Sequence, residues 1–161
     1  MIIEWNEHMF SADLKRFPMQ HDAAYMPKLH EDPLDVYLQH MKQENIDHAV
    51  IVQASTYWDD HSLLLDCLHR EPKKLHGTCL FRYGDEEAPR KMRDLVAAEP
   101  RIVAWRYYGV GGRTGELIER FDEWMLKQWR AAIELGLIIE LLINGKYALA
   151  AADAIRRMPD C

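Results

Sequence analysis

Apolar positions along the chain fall into two alternating kinds of run. Short, nearly unbroken apolar stretches stand at 2–5 (IIEW), 48–53 (HAVIVQ), 75–81 (LHGTCLF), 102–108 (IVAWRYY) and 137–143 (LIIELLI). Such short runs, bounded by polar segments, read as strands, and a run without polar alternation reads as a strand buried on both faces. Between them apolar residues recur at helical spacing. Residues 33–44 place Leu34, Leu38 and Met41 on one face, with Asp32 as N-cap and Pro33 in the first turn. Residues 60–70 carry Leu64, Leu65 and Leu68, and residues 87–98 form a helix stopped before Pro100. Residues 117–135 present Phe121, Met125, Trp129, Ala132 and Ile133 along one side, and Gly136 supplies the residue that ends the helix. Residues 146–158 are an Ala-rich helix ending at Pro159.

The order is strand then helix, five times over, which predicts parallel βαβ units in an α/β fold. Two architectures fit: an open doubly wound sheet, or part of a (β/α)8 barrel. A whole barrel takes ~250 residues, and this chain has 161. No linker or low-complexity stretch divides residues 1–161, so one domain is expected. The segment 9–31, with Pro18 and Pro27, is longer than an ordinary βα connection and is expected to serve the site.

Composition narrows the partners. Hydrophobic residues make up 48% and charged residues 29%, and the formal net charge is −6. An acidic balance argues against a nucleic-acid or anionic-membrane surface, which needs basic residues to meet phosphates. Cys67, Cys79 and Cys161 form no CxxC and suit free thiols in a reducing compartment. The start has no basic segment followed by a long apolar run, and no stretch reaches ~18 apolar residues. A soluble cytoplasmic protein is the expectation.

In parallel α/β proteins the ligand meets the C-terminal ends of the strands. Period-2 alternation puts Glu4, Asn6 and His8 of the first strand on one face. The second strand runs out into Gln53, Ser55, Tyr57 and Trp58, and the third ends at Arg82. The fourth carries Arg106, and the fifth carries Glu140 with Leu142 beyond it. An arginine inside an apolar strand either meets a carboxylate of the protein or binds an anionic ligand. Glu140 is the candidate carboxylate, and Asn6 with His8 is either a hydrogen-bonded core pair or part of the site. His61 reads as a helix start rather than a metal site. Gly109-Val110-Gly111-Gly112 lacks the dinucleotide fingerprint and reads as a flexible loop.

Residues 3–10, IEWNEHMF, resemble the I-D-x-H-x-H-x-F opening of the amidohydrolase superfamily, in its amidohydrolase-related branch. The likeness continues through Arg16-Phe17-Pro18, Ala24-Tyr25-Met26-Pro27, residues 46–55 (IDHAVIVQAS), 102–106 (IVAWR) and 136–143 (GLIIELLI). The Arg-Phe-Pro, Ala-Tyr-x-Pro and Gln-Ala-Ser elements resemble most the 2-pyrone-4,6-dicarboxylate lactonase-like hydrolases of that branch. The resemblance implies a (β/α)8 barrel of TIM type. This chain would hold its first five units and lack strands six to eight with their catalytic Asp.

The resemblance also implies roles. His8 matches the second His of the first-strand pair, Asn6 stands where the first is expected, and Leu142 stands where many members have a fifth-strand His. Tyr25, Ser55 and Arg106 match positions that line a pocket for a carboxylated substrate. The family binds a divalent metal, zinc or manganese, though its lactonase-like members can work without one. Here His8 would hold it weakly and Glu140 could add an oxygen, because an amide is a poor ligand and leucine is none.

The implied activity is hydrolysis of an ester, lactone or amide of a small carboxylated compound, with His8 and Asn6 as catalytic residues and Tyr25, Ser55 and Arg106 holding the substrate. A decarboxylase of the same fold is the alternative. A non-catalytic half-barrel that self-associates is another, its inward Ile51, Leu80 and Ile139 or their neighbours seeking cover from a second copy. A homo-oligomer is expected on either account.

Overall fold

Each of the five apolar runs forms a strand, and each strand leads to a helix. The structure, a computed structural model, describes residues 1–20, 27–108, 110–111, 116–117, 121 and 123–158. In order these give β1 (Ile3–Glu7), α1 (Pro33–Gln43), β2 (His48–Val52), α2 (Ser62–Arg70), β3 (Leu75–Leu80), α3 (Ala88–Ala98), β4 (Ile102–Tyr108), β5 (Val110–Gly111), β6 (Glu116–Leu117), α4 (Glu123–Glu134), β7 (Ile138–Leu142) and α5 (Ala148–Arg156). A 3-10 turn over Gly145–Tyr147 precedes α5. The sheet order is β1-β2-β3-β4-β7 with every pairing parallel. Sequential parallel order with the helices on one face is an arc of a (β/α) barrel, and it excludes the doubly wound alternative.

Local signals set the boundaries where they were strongest. Asp32 caps α1 by accepting from the Asp35 N–H at 3.1 Å, and Pro33 opens the helix. Arg70 at the end of α2 donates to the same Asp32 carboxylate at 2.6 Å and so ties two neighbouring helices. Gly136 follows α4 at φ +68°, a conformation that glycine adopts without a Cβ penalty. The stretch after β4 differs from expectation. Val110–Gly111 pairs antiparallel with Glu116–Leu117 instead of forming only a loose loop, and α4 begins at Glu123 rather than near 117.

The core lies between the convex face of the sheet and the helices. Ala49, Ile51, Cys79, Trp105 and Tyr107 pack there against Leu34, Met41, Leu64, Leu68, Met92 and Trp129. At Gly77 a Cβ would lie 2.8 Å from Ile102 Cδ1 and 3.2 Å from Leu68 Cδ1, so glycine lets these side chains close over β3. Cys67 and Cys79 are free and buried; burial pushes the Cys67 thiol up to about 12 and raises Cys79 too, so neither is a reactive thiolate.

The expectation that Ile51 and Ile139 face the barrel interior is corrected: Ile51 lies in the helix-side core and Ile139 packs against it. The concave face carries Trp5, Thr78, Arg106 and Glu140 instead, joined by hydrogen bonds. On the two edge strands Ile3, Ile138 and Leu142 are exposed. Among the described residues no helix is long and apolar enough to cross a membrane.

Candidate functional site

The last turn of β1 departs from strict alternation. Trp5 pairs with Val50 and Glu7 with Ile51, so two steps along β1 match one along β2 and Asn6 is the extra residue. Asn6 takes φ +104° there, a bulge conformation that asparagine tolerates better than most side chains. Trp5 faces the concave side by its regular register with Val50, and the bulge turns Asn6 to that side as well. The Trp5 indole N–H donates to Glu140 Oε1, and Asn6 Oδ1 accepts from Arg106 Nη2 at 2.8 Å. Glu4 does not share their face, contrary to the period-2 expectation. It accepts a 2.6 Å hydrogen bond from Tyr37 of α1, on the helix side.

Arg106 and Glu140 are register partners on β4 and β7, so their side chains leave the same face side by side. Arg106 Nε donates to Glu140 Oε2 at 2.6 Å, and Nη2 lies 2.6 Å from the same oxygen. Glu140 Oε1 accepts from Thr78 Oγ1 at 2.8 Å and from Trp5. Both carboxylate oxygens are therefore engaged, and Glu140 anchors Arg106. Among the described residues Arg106 Nη1 has no hydrogen-bond partner, and the arginine lines the cleft.

His8 sits at the mouth of β1 with Nδ1 2.8 Å from the Val52 carbonyl. A carbonyl only accepts, so Nδ1 carries the proton and Nε2 of the neutral ring keeps its lone pair. Burial lowers the His8 pKa, the positive charge of Arg106 acts in the same direction, and the Val52 hydrogen bond and Glu140 oppose them. The ring is thus a neutral acceptor near pH 7.

The turn after β2 supplies the remaining wall. Gln53 pins it by donating from Nε2 to the carbonyls of Trp58 and Asp60, both at 2.7 Å. Beneath it His61 is sealed in, accepting from the Leu80 N–H at 3.2 Å, and burial pushes its pKa down to about 4. It occupies the N-cap position of α2 and takes no part in the cleft.

Asn6, His8, Ser55 and Arg106 all line one cleft of about 410 Å³ at the C-terminal ends of the strands, with Leu142 on the far wall. Tyr25 lies outside the described residues. Among the described residues, Ala12 N–H donates to His30 O at 2.7 Å, and Tyr57 Oη accepts from Ser11 N–H at 3.0 Å. Sequence reasoning missed Trp5 and Thr78, which fix Glu140, and Glu7 and Phe10, which line the cleft. Trp5 faces inward by its regular register with Val50, and the bulge, invisible in an alternating pattern, puts Asn6 on the same face beside it.

The residues present do not fit a bound divalent metal. Among the described residues no three His, Cys, Asp or Glu side chains converge. Asn6 and Glu140, which would stand beside His8 as ligands, both accept from the Arg106 guanidinium. A second cation among them would meet a fixed positive charge.

No family model and no curated protein matches the chain. Solved structures do. A probable 2-pyrone-4,6-dicarboxylic acid hydrolase from Acinetobacter baumannii, with citric acid bound, is similar over 96% of this chain and 54% of its own, at 19% identity and a TM-score of 0.73. An apo protein from Agrobacterium tumefaciens covers 96% and 52%, at 17% identity and a TM-score of 0.73. A 5-carboxyvanillate decarboxylase from Novosphingobium aromaticivorans, complexed with manganese and a nitrobenzoic acid, covers 86% and 49%, at 14% identity and a TM-score of 0.57. The chain spans about half the length of these structures, and the likeness shows the fold: an arc of the barrel that hydrolases and a decarboxylase share.

Proposed function

We propose that the cleft hydrolyses an ester, lactone or amide carbonyl of a small carboxylated compound. The observation that carries this reading is the placement of a neutral His8, with Nε2 free to accept, in one cleft with the Arg106 guanidinium and the Ser55 hydroxyl. In this reading His8 orients a water and takes its proton, and Ser55 and Arg106 donate to substrate oxygens, with Tyr25 as a further contact. Asn6 holds Arg106 in place. The fold shared with a probable 2-pyrone-4,6-dicarboxylic acid hydrolase that has citric acid bound supports a small carboxylated ligand. The decarboxylase alternative draws support from the manganese-bound neighbour, but it asks for a ligand set that Asn6, committed to Arg106, does not supply.

The test is hydrolysis of p-nitrophenyl esters by the full chain and by His8→Gln. The reading expects turnover by the first and a fall in kcat of about 10²-fold in the second, in line with loss of a general base. Equal rates would defeat it. A second reading, self-association through the edge strands, is favoured by the exposure of Ile3, Ile138 and Leu142. Light scattering tests it, and a monomer at high concentration would defeat it.

A further inference from the structure

We propose that Arg106 is the electrophile of this cleft, donating from Nη1 to the oxygen of the reacting carbonyl rather than clamping a substrate carboxylate. The inference rests on the hydrolytic reading above and specifies it. A guanidinium grips a carboxylate best with two adjacent nitrogens, through parallel hydrogen bonds. Arg106 has neither such edge to spare. Its Nε–Nη2 edge is held by Glu140 Oε2, and Nη2 also donates to Asn6. Among the described residues, what remains without a partner is the single nitrogen Nη1. One nitrogen suits one oxygen atom.

Charge points the same way. Glu140 lies against Arg106 with both side chains nearly buried, so the pair offers a ground-state carboxylate little net attraction. The pair is nevertheless a fixed dipole, oriented by Trp5, Thr78 and Asn6 before any ligand arrives. Preorganised donors of this kind act on charge that develops during reaction. In the step proposed, water oxygen bonds to the carbonyl carbon and the C=O π pair moves to the carbonyl oxygen, which Nη1–H stabilises. The water proton passes to His8 Nε2. On collapse the π bond re-forms, the bond to the leaving oxygen or nitrogen breaks, and that atom receives the proton from His8. One water is consumed, and nothing is oxidised or reduced.

The experiment compares p-nitrophenyl acetate, which is neutral, with mono-p-nitrophenyl succinate, which carries a carboxylate. The full chain is assayed beside Arg106→Lys and the paired variant Arg106→Gln/Glu140→Gln, which leaves no charge unpaired, with folding checked by near-UV circular dichroism. The expected result is a fall in kcat of about 10²-fold on both esters with KM changed little, and partial recovery on adding millimolar guanidinium. A rise in KM confined to the succinate ester, with kcat on the acetate intact, makes Arg106 a carboxylate clamp and overturns the proposal while leaving the hydrolytic reading standing. No turnover of either ester by the unaltered chain overturns both. If the paired variant does not fold, Arg106→Lys gives the same discrimination from its kcat and KM.

Discussion

At the entry to β4, Arg101 lies beside Glu99; towards the exit of the same strand, Arg106 lies beside Glu140. The entry pair is closed on itself. Arg101 donates from its backbone N–H and Nε to Glu99 Oε1 at 3.1 and 2.7 Å, from Nη2 to Oε2, and from Nη1 to the Leu68 carbonyl at the end of α2. Every side-chain nitrogen has a protein partner, and Arg101 holds the Glu99 carboxyl below its usual range. At the exit, Nε and Nη2 are closed in the same manner, but among the described residues Nη1 has no partner. An ion pair that exhausts its donors fixes a strand to its neighbour, whereas one that keeps a donor back can serve a ligand. The difference follows the division of labour in (β/α) barrels, stability at the N-terminal face and chemistry at the C-terminal face.

The sharpest way to break this contrast is to remove each arginine in turn. Arg106→Met leaves Glu140 with Thr78 and Trp5 but no cation, and should cost roughly 3 kcal/mol in urea unfolding, the range for splitting a buried pair. Adding Glu140→Gln should restore most of that loss. Arg101→Met should cost less, about 1–2 kcal/mol, since Arg101 is 21% exposed and Glu99 keeps His69 at 3.2 Å. Ester hydrolysis should be unchanged in Arg101→Met. Should it fall as far as in Arg106→Met, the two ends of β4 do not differ in kind.

Two histidines extend the comparison from charge pairs to protons. His61 is sealed, with a pKa pushed down to about 4, against about 6.5 in the unfolded chain. Above pH ~6.5 both states are neutral and His61 contributes nothing to pH dependence. As pH falls below that, the unfolded chain takes up a proton that the folded one refuses, so stability drops until about pH 4, by on the order of 3 kcal/mol. His61→Phe should flatten that slope in denaturant titrations at pH 7, 6, 5 and 4. His8 is open to the cleft and its pKa is only lowered. Activity requires its neutral form, so kcat/KM should rise with pH through a midpoint below 6.5 and then hold. A midpoint above 6.5 would mean that His8 is not the base.

How far this was legible in the sequence depends on the kind of signal. The strands and α1 were readable because apolar runs, the Asp32 cap and Pro33 all act locally. The arc was readable because five βα units in sequence leave few topologies. Placing His8, Ser55 and Arg106 in one cleft follows from strand ends converging, which any parallel barrel arc enforces. The orientation of Trp5 was not readable, since one bulge at Asn6 breaks the alternation that would put Glu4 on the face of Asn6 and His8 and Trp5 on the other. Nor was the fate of Glu140 readable. Whether its oxygens face a ligand or an arginine depends on β4 and β7 lying in register, a contact between positions distant in sequence.

Trp5 tests whether the dipole at the exit is held or merely present. Trp5→Phe keeps a ring on the concave face but removes the donor to Glu140. Stability should fall by about 1 kcal/mol, the net value of one hydrogen bond on a partly exposed side chain. If Glu140 needs that donor to hold Arg106, kcat should fall several-fold with KM little changed, whereas purely structural packing would leave kcat alone.

The smallest expected change in stability, and the most specific, comes from Asn6. Its φ of +104° suits glycine, and strain of this kind costs on the order of 1 kcal/mol. Its Oδ1 also accepts from Arg106, and a hydrogen bond to a charged group contributes roughly 1.5 kcal/mol. Asn6→Gly gives up the second and relieves the first, so its stability should lie within about 1 kcal/mol of the unaltered chain. Asn6→Ala gives up the acceptor and keeps the strain, so it should be less stable than Asn6→Gly by about 1 kcal/mol. Both should lose kcat, because neither holds Nη2, and Asn6→Asp should retain more of it by keeping an acceptor at the same reach. Unfolding midpoints and single-turnover rates for the three variants decide the matter. Alanine as stable as glycine would show that position 6 is unstrained, and full activity in both would show that Arg106 needs no second anchor at the exit of β4.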